Sequence, residues 1–299
     1  MEPTARRIRR STPRGGRGPA GADPVGPGVA HGGPALGPEG PEGSEGSEGS
    51  EGSAKVGRKT VWLFDLDNTL HDASHAAFGH TGAAMNAYMV DELGLEPAEA
   101  ARLRDHYWRR YGATLLGLVR HHGVKAAHFL EATHRHPGME TRLRTSAHDR
   151  AALKRLRGRK YVLTNAPRAY TMRVLGALRL AGEFDGVISI EDMSMFGHLR
   201  PKPDARLFRH IAARLKVCTS DCVLVEDMLE NQKAARSVGM RTAWTQRYLD
   251  GRFRGHLCGG RQAGFNNGFR AREVGVHPCP SPRYVCAKIH SLQQLLTLR

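Results

Sequence analysis

Asp65 and Asp67 stand one residue apart, directly after the apolar run Val61-Trp62-Leu63-Phe64. A run that short and β-rich predicts a buried strand, and its C-terminal edge is where open α/β sheets bind ligands. Two carboxylates on such a strand-to-loop turn converge on one small volume. Left unpaired they repel and one keeps its proton, whereas a divalent cation lets both act ionised. Aspartate also attacks phosphorus to form an aspartyl-phosphate. A pair of loop-capping aspartates would give the same spacing, so other residues must decide.

Three further clusters lie downstream. Thr164-Asn165 ends a second β-rich run, Lys160-Tyr-Val-Leu, where the Thr164 hydroxyl and the Asn165 N–H could both hold a phosphate oxygen. Arg200-Pro201-Lys202-Pro203-Asp204 sets a lysine between two prolines, whose rings give its ammonium a defined origin. That charge would neutralise phosphoryl oxygens and Asp65 together. Val223-Leu224-Val225-Glu226-Asp227 is a third apolar run ending in acids, which need a cation or a base to offset them. With Asp65 and Asp67 they make an oxygen-rich site suited to Mg²⁺, a hard ion. Asn231 follows one turn later, able to orient the loop.

The elements that must position these residues are legible. Short β-rich runs at 60–64, 160–164, 186–190, 222–225, 241–245 and 284–289 alternate with helical stretches, which predicts a parallel sheet. Between the first two lies an insertion, 72–150, with helical periodicity over 76–93, 97–111 and 114–122. Placed right after the first pair of acids, it reads as a lid. Residues 1–57 are a Gly/Pro/Ser/Glu-rich tail with glycine at every third position from Gly37 to Gly52, expected to be disordered. The stretch 250–283 separates two predicted strands; Arg252, Phe253, Arg254, Phe265, Phe269 and Arg270 give it the look of an arginine/aromatic nucleic-acid segment or a solvated loop.

The net charge is +16, and residues 1–57 balance seven basic against seven acidic residues, so the excess belongs to the remainder. An anionic small substrate or a nucleic acid would account for it. No apolar run approaches a membrane span. All five cysteines fall between Cys218 and Cys286, which suits reduced thiols in a cytoplasmic protein.

The four clusters, in this order, resemble the signatures of the haloacid dehalogenase-like phosphohydrolases. The resemblance covers about residues 58–250 plus a final strand and helix, and implies an α/β, Rossmann-like three-layer core (58–71 and 151–299) with its first strand central and a helical cap (72–150) inserted. It implies Asp65 as nucleophile and Asp67 as general acid, later base. Asp65, the main-chain carbonyl of Asp67 and Asp227 would hold Mg²⁺, with Glu226 beside them; Thr164, Asn165 and Lys202 would hold phosphate. Dehalogenases of this superfamily lack the second aspartate, so Asp67 favours phosphoryl chemistry.

A narrower resemblance lies in Asp67-Asn-Thr-Leu-His71, Tyr107-Trp-Arg-Arg-Tyr111-Gly112, Leu115-Leu-Gly117-Leu118 and Thr164-Asn-Ala-Pro167, which look like the pyrimidine 5′-nucleotidase branch. It implies hydrolysis of UMP and CMP. Tyr107, Trp108 and Tyr111, at helical spacing, could all pack the cap, Trp108 foremost, while His71 and Tyr111 are the candidates for contact with a nucleoside. Met228 departs from it, since many relatives carry serine after the last aspartate. Two alternatives stay open: a sugar-phosphate or phosphoglycolate phosphatase or phosphosugar mutase of the same fold, and a nucleic-acid-binding protein with a relict core. The clustered carboxylates disfavour the latter. The histidines at 121, 122, 134 and 136 are read as surface residues.

Overall fold

The computed structural model describes residues 60–248 and 281–298. The tail 1–57, the 252–270 arginine/phenylalanine stretch, Cys258 and Cys279 lie outside them. Among the described residues Cys218, Cys222 and Cys286 are free, and no helix is long and apolar enough to cross a membrane.

In chain order, β1 (Val61–Phe64) leads into helices α1 (Ala73–Ala76), α2 (Phe78–Leu93), α3 (Pro97–Tyr111), α4 (Thr114–His122) and α5 (Ala126–Thr133). The chain then returns through α6 (Ala147–Arg155), β2 (Arg159–Leu163), α7 (Arg168–Ala177) and β3 (Gly186–Ile188). A short hairpin, β4 (Ser194–Met195) with β5 (His198–Leu199), precedes α8 (Ala205–Arg214), β6 (Cys222–Glu226), α9 (Leu229–Ser237), β7 (Arg241–Thr245) and β8 (Ala287–Ile289). A 3-10 turn over Leu292–Thr297 stands where a final helix was expected.

The main sheet has the order β3-β2-β1-β6-β7-β8, and all its pairings are parallel. The expected α/β architecture with a central first strand is therefore present, together with an inserted helical region. Side chains of β1 alternate between faces, as the pleat demands. Trp62 and Phe64 join one buried cluster with Val162, Val223, Leu153, Val174 and Leu292. Val61 and Leu63 join another with Leu163, Leu224, Phe208, Ile211 and Ala235. Every residue of β1 and of β6 is buried, as strands covered on both faces must be. Because the strands run parallel, the loops that follow β1, β2 and β6 open at one edge.

Helices α2 to α5 bury a separate cluster that includes Tyr88, Met89, Tyr107, Leu118 and Phe129. Ile190 and the half-buried Leu199 of the core share it, so the hairpin meets the insert. Helix α6 begins inside the stretch expected for the insert, yet its Ala152 and Leu153, with Met139 before it, pack in the core cluster. Helix α5 was not legible beforehand, and neither was the hairpin. Both are too short for their periodicity to stand out.

Two glycines of the insert are sterically required. Gly112 ends α3 in the left-handed region at φ 77°, and a Cβ there would lie 2.7 Å from Pro203 Cδ. At Gly117 a Cβ would lie 2.1 Å from Tyr107 Cγ. We expect Gly117→Ala to destabilise the protein by about 1–3 kcal/mol, the usual cost of overpacking. Replacing a helical glycine recovers about 1 kcal/mol at most, so the net sign is unfavourable. Urea unfolding measures it, and an unchanged midpoint would refute the tight packing.

Candidate active site

Every cluster named from the sequence sits at the C-terminal edge of the sheet. Asp65 N–H donates to Val225 O at 2.9 Å, extending the β1–β6 ladder by one bond and fixing where the first carboxylate emerges. The chain then turns sharply. Asn68 adopts φ 59°, a left-handed conformation that asparagine tolerates better than most residues. Its side chain accepts from Ser74 N–H at 3.0 Å and donates to Ser74 Oγ at 2.9 Å. Leu70 N–H donates to Leu66 O, so His71 returns alongside Asp67.

Lys202 is the centre of the acid cluster. Its side chain is buried, and Nζ donates to Asp65 Oδ1 and Glu226 Oε2, each at 2.7 Å. Burial opposes its charge, but the two carboxylates outweigh burial and push its pKa above the ordinary lysine value. Asn165 holds the main chain beneath it. The amide accepts from Lys202 N–H at 3.0 Å and donates to Lys202 O at 2.9 Å. Thr164 is buried on the neighbouring strand tip, and its hydroxyl accepts from Ala166 N–H at 3.0 Å, leaving its proton free to donate elsewhere.

Asp65, Glu226 and Asp227 bring carboxylate oxygens within 4.8 Å of one another. Burial, then the Glu226 charge, pushes Asp65 up to about 7 although Lys202 opposes the shift. Asp227 is raised well above the ordinary range by burial, Glu226 and Asp65. Three acids against one lysine cannot all stay ionised without a further cation. Hard oxygen donors so arranged fit a divalent cation such as Mg²⁺. Glu226 has both oxygens engaged, Oε2 by Lys202 and Oε1 by Met228 N–H at 3.1 Å. Asp227 is held from behind: its main-chain carbonyl accepts from Trp244 Nε1 at 2.8 Å.

Asp67 is not one of the three converging carboxylates. Its Oδ1 accepts from Tyr170 OH at 2.8 Å and lies 2.9 Å from His71 Nε2. Burial works against its charge, yet His71, Tyr170 and the more distant His134 outweigh it and hold the carboxyl below its ordinary value. A general acid would need the opposite shift in the resting protein. His71, read from the sequence as a nucleoside contact, is fully buried and spends its Nε2 on Asp67. Tyr170 carried no motif; its only trace is a tyrosine in the first turn of the helix after Thr164-Asn165.

The insert contributes its α3–α4 corner. Gly112 packs against Pro203, which places Tyr111 next to the lysine loop. Tyr111 is half-buried, with its hydroxyl 2.7 Å from His121 Nε2. Tyr107, rather than Trp108, packs the insert: Trp108 is 42% exposed and Tyr107 6%. The surface reading of the histidines holds for 121 and 122 and fails for His136, which is buried against Tyr170 with ring centroids 5.7 Å apart.

A family model described as haloacid dehalogenase-like hydrolase matches residues 60–239. Among curated proteins, "Phosphate metabolism protein 8" of Saccharomyces cerevisiae is 24% identical over 197 residues, which is 61% of this chain and 60% of the yeast protein. This chain thus spans about three-fifths of that relative's length. Among solved structures, a phosphatase of the haloacid dehalogenase class from Thermococcus onnurineus is 20% identical with a TM-score of 0.49, covering 80% of this chain and 96% of that one. A hydrolase of the same class from Bacillus subtilis, solved with magnesium bound, is 16% identical with a TM-score of 0.47, covering 80% and 98%.

Proposed function

The chain belongs to the haloacid dehalogenase-like hydrolases, and from that premise we propose that it is a Mg²⁺-dependent phosphomonoesterase acting on nucleoside 5′-monophosphates, UMP and CMP foremost. The observation that carries the phosphoryl reading is one buried lysine bridging Asp65 and Glu226, with Asp227 alongside. The name of the yeast relative, a phosphate metabolism protein, agrees with it. The nucleoside reading rests on the resemblance carried by Tyr107–Gly112 and Leu115–Leu118, and is supported by the packing of Gly112 on the Lys202–Pro203 loop, which brings that corner of the insert to the loop of the phosphate lysine.

In this reading Asp65 attacks phosphorus in line, the ester P–O bond breaks, and Asp67 gives its proton to the leaving 5′-oxygen. Asp67 then takes a proton from water as that water attacks the aspartyl-phosphate, releasing phosphate and restoring Asp65. Lys202 Nζ, the Thr164 hydroxyl and the Asn165 main-chain N–H hold the non-bridging oxygens throughout. Asp65, Asp227 and the Asp67 carbonyl would hold Mg²⁺, which when bound withdraws charge from the phosphoryl oxygens. The lowered pKa of Asp67 means that it starts ionised in the free protein, so it must gain its proton once substrate is bound.

Released phosphate measured on UMP, CMP, AMP, phosphoglycolate and glucose phosphates, with Mg²⁺ and with EDTA, tests this. Pyrimidine nucleotides should be fastest and EDTA should abolish turnover. Preference for phosphoglycolate or sugar phosphates would sink the nucleotidase reading. Isomerisation without phosphate release would select a mutase. Salt-sensitive RNA retention with no hydrolysis would select the binding protein.

Metal affinity should also follow pH. Asp65 is raised to about 7 and Asp227 well above the ordinary carboxylate range without the ion, so protons must leave before either carboxylate can ligate. Mg²⁺ affinity should therefore rise as pH increases through about 7 and weaken below it. Calorimetric titration on either side of that value checks the sign, and pH-independent binding would refute it.

A further inference from the structure

The proposed chemistry needs Asp67 to deliver and collect a proton, and it leaves His71 and Tyr170 without a task. Both contacts to the Asp67 carboxylate recorded among the described residues fall on the same oxygen, Oδ1. We propose that His71 and Tyr170 are positioning residues, which clamp Asp67 by Oδ1 and thereby present Oδ2 to the leaving-group oxygen and later to water. The inference rests on the reading of Asp67 as acid and base and adds the means by which it is aimed.

The geometry supports a clamp. A carboxylate is acceptor-only when ionised, so the tyrosine hydroxyl donates to it, and His71 Nε2 must carry the imidazole proton to do the same. His71 Nδ1 is buried without a partner, which makes the contact to Asp67 the imidazole's single recorded hydrogen bond. The His71 side chain is fully buried while that of Asp67 is 21% exposed, so the donors lie behind the carboxylate. Two fixed donors on one oxygen remove the rotation that would otherwise swing Oδ2 off line. Alignment of this kind is where much of the advantage of a bound acid lies.

Tyr170 is itself braced by the segment that leads back from the insert. His134 and His136 pack edge-on against its ring, with centroids 5.6 and 5.7 Å away. One turn further along α7, Arg173 donates to the main-chain carbonyls of Arg135 and His136 and to Glu140 Oε1 at 2.8 Å. Thr81 Oγ1 of α2 lies 3.1 Å from His136 Nε2. The acid is therefore aimed by a tyrosine seated between the core and the segment that returns from the insert.

A tyrosine buried only for packing would also seek a hydrogen-bond partner, so the test must separate aiming from packing. In the full-length protein with Mg²⁺, Tyr170→Phe, His71→Leu and His71→Gln are compared on UMP and on p-nitrophenyl phosphate, whose leaving group departs without a proton. With UMP, Tyr170→Phe and His71→Leu should lower kcat/KM, which reports formation of the aspartyl-phosphate and not the hydrolysis step common to all esters, by roughly 10- to 100-fold, a share of what acid–base catalysis supplies. The loss in kcat/KM with p-nitrophenyl phosphate should be smaller by about tenfold, because proton delivery to the leaving group matters less there. His71→Gln, whose amide can donate from nearly the same point, should recover part of the loss. Equal losses on both esters, or none on UMP, would overturn the proposal. Asp67→Asn run in parallel separates the two levels: if its kcat/KM too falls equally on both esters, the acid assignment and this inference fall together. If it discriminates and Tyr170→Phe does not, only the clamp falls. Should His71→Leu fail to fold, the near-isosteric Tyr170→Phe decides alone.

Discussion

Asp65→Asn is expected to abolish phosphate release, with kcat falling by at least about 10³-fold, as when a covalent nucleophile is removed. The reason is local. The Asp65 carboxylate leaves β1 at the point where its N–H joins the β6 ladder, and Lys202 holds Oδ1 at 2.7 Å. An amide has no anionic oxygen with which to attack phosphorus, and it also removes one ligand of the proposed cation. Rapid acid quench with radiolabelled substrate adds a direct readout. The wild-type chain should trap a base-labile phosphoprotein and the variant none. A variant with near-normal turnover would refute the covalent route altogether.

Lys202→Met should be the most destabilising single change in the site. It leaves Asp65, Glu226 and Asp227 buried with no cation, and removal of one partner from a buried ionic cluster costs about 3–5 kcal/mol. Methionine has a comparable length, so packing changes little and the loss is electrostatic. Activity should fall by about 10²–10³-fold as well, since a preorganised charge near the phosphoryl group is lost. Two controls make the assignment firm. Adding Glu226→Gln to the variant should restore much of the stability and none of the activity, because the repulsion is relieved while the phosphate contact stays absent. Mg²⁺ should raise the unfolding midpoint of Lys202→Met more than that of wild type. An unchanged midpoint in urea would mean that the lysine is not the counter-charge described here.

Much of this was legible in the chain itself. Val61–Phe64, Cys222–Glu226 and Arg241–Thr245 are short, apolar and bounded by turn residues, so their strands could be placed within a residue or two. The polar residues at the ends of β1, β2 and β6, namely Asp65, Thr164 and Glu226-Asp227, follow from such placement, because parallel strands put equivalent ends at one edge. Lys202 was legible as a residue but not in its bonding. Its two acidic partners lie 137 and 24 positions away, and nothing local in the sequence pairs them.

What only the tertiary structure decided is the set of contacts between elements distant in sequence. Asp67 meets Tyr170 across 103 residues, through a helix turn that no motif marks. His136 has the composition of a surface residue and is buried because the insert's return path runs over Tyr170. Glu226, read as a possible ion ligand, turns out to hold the lysine with one oxygen and the Met228 N–H with the other. Local patterns report how each strand or helix satisfies its own backbone and apolar face. Which carboxylate faces which donor depends on how those elements are stacked, and burial then sets the proton affinities that the residue types alone leave open.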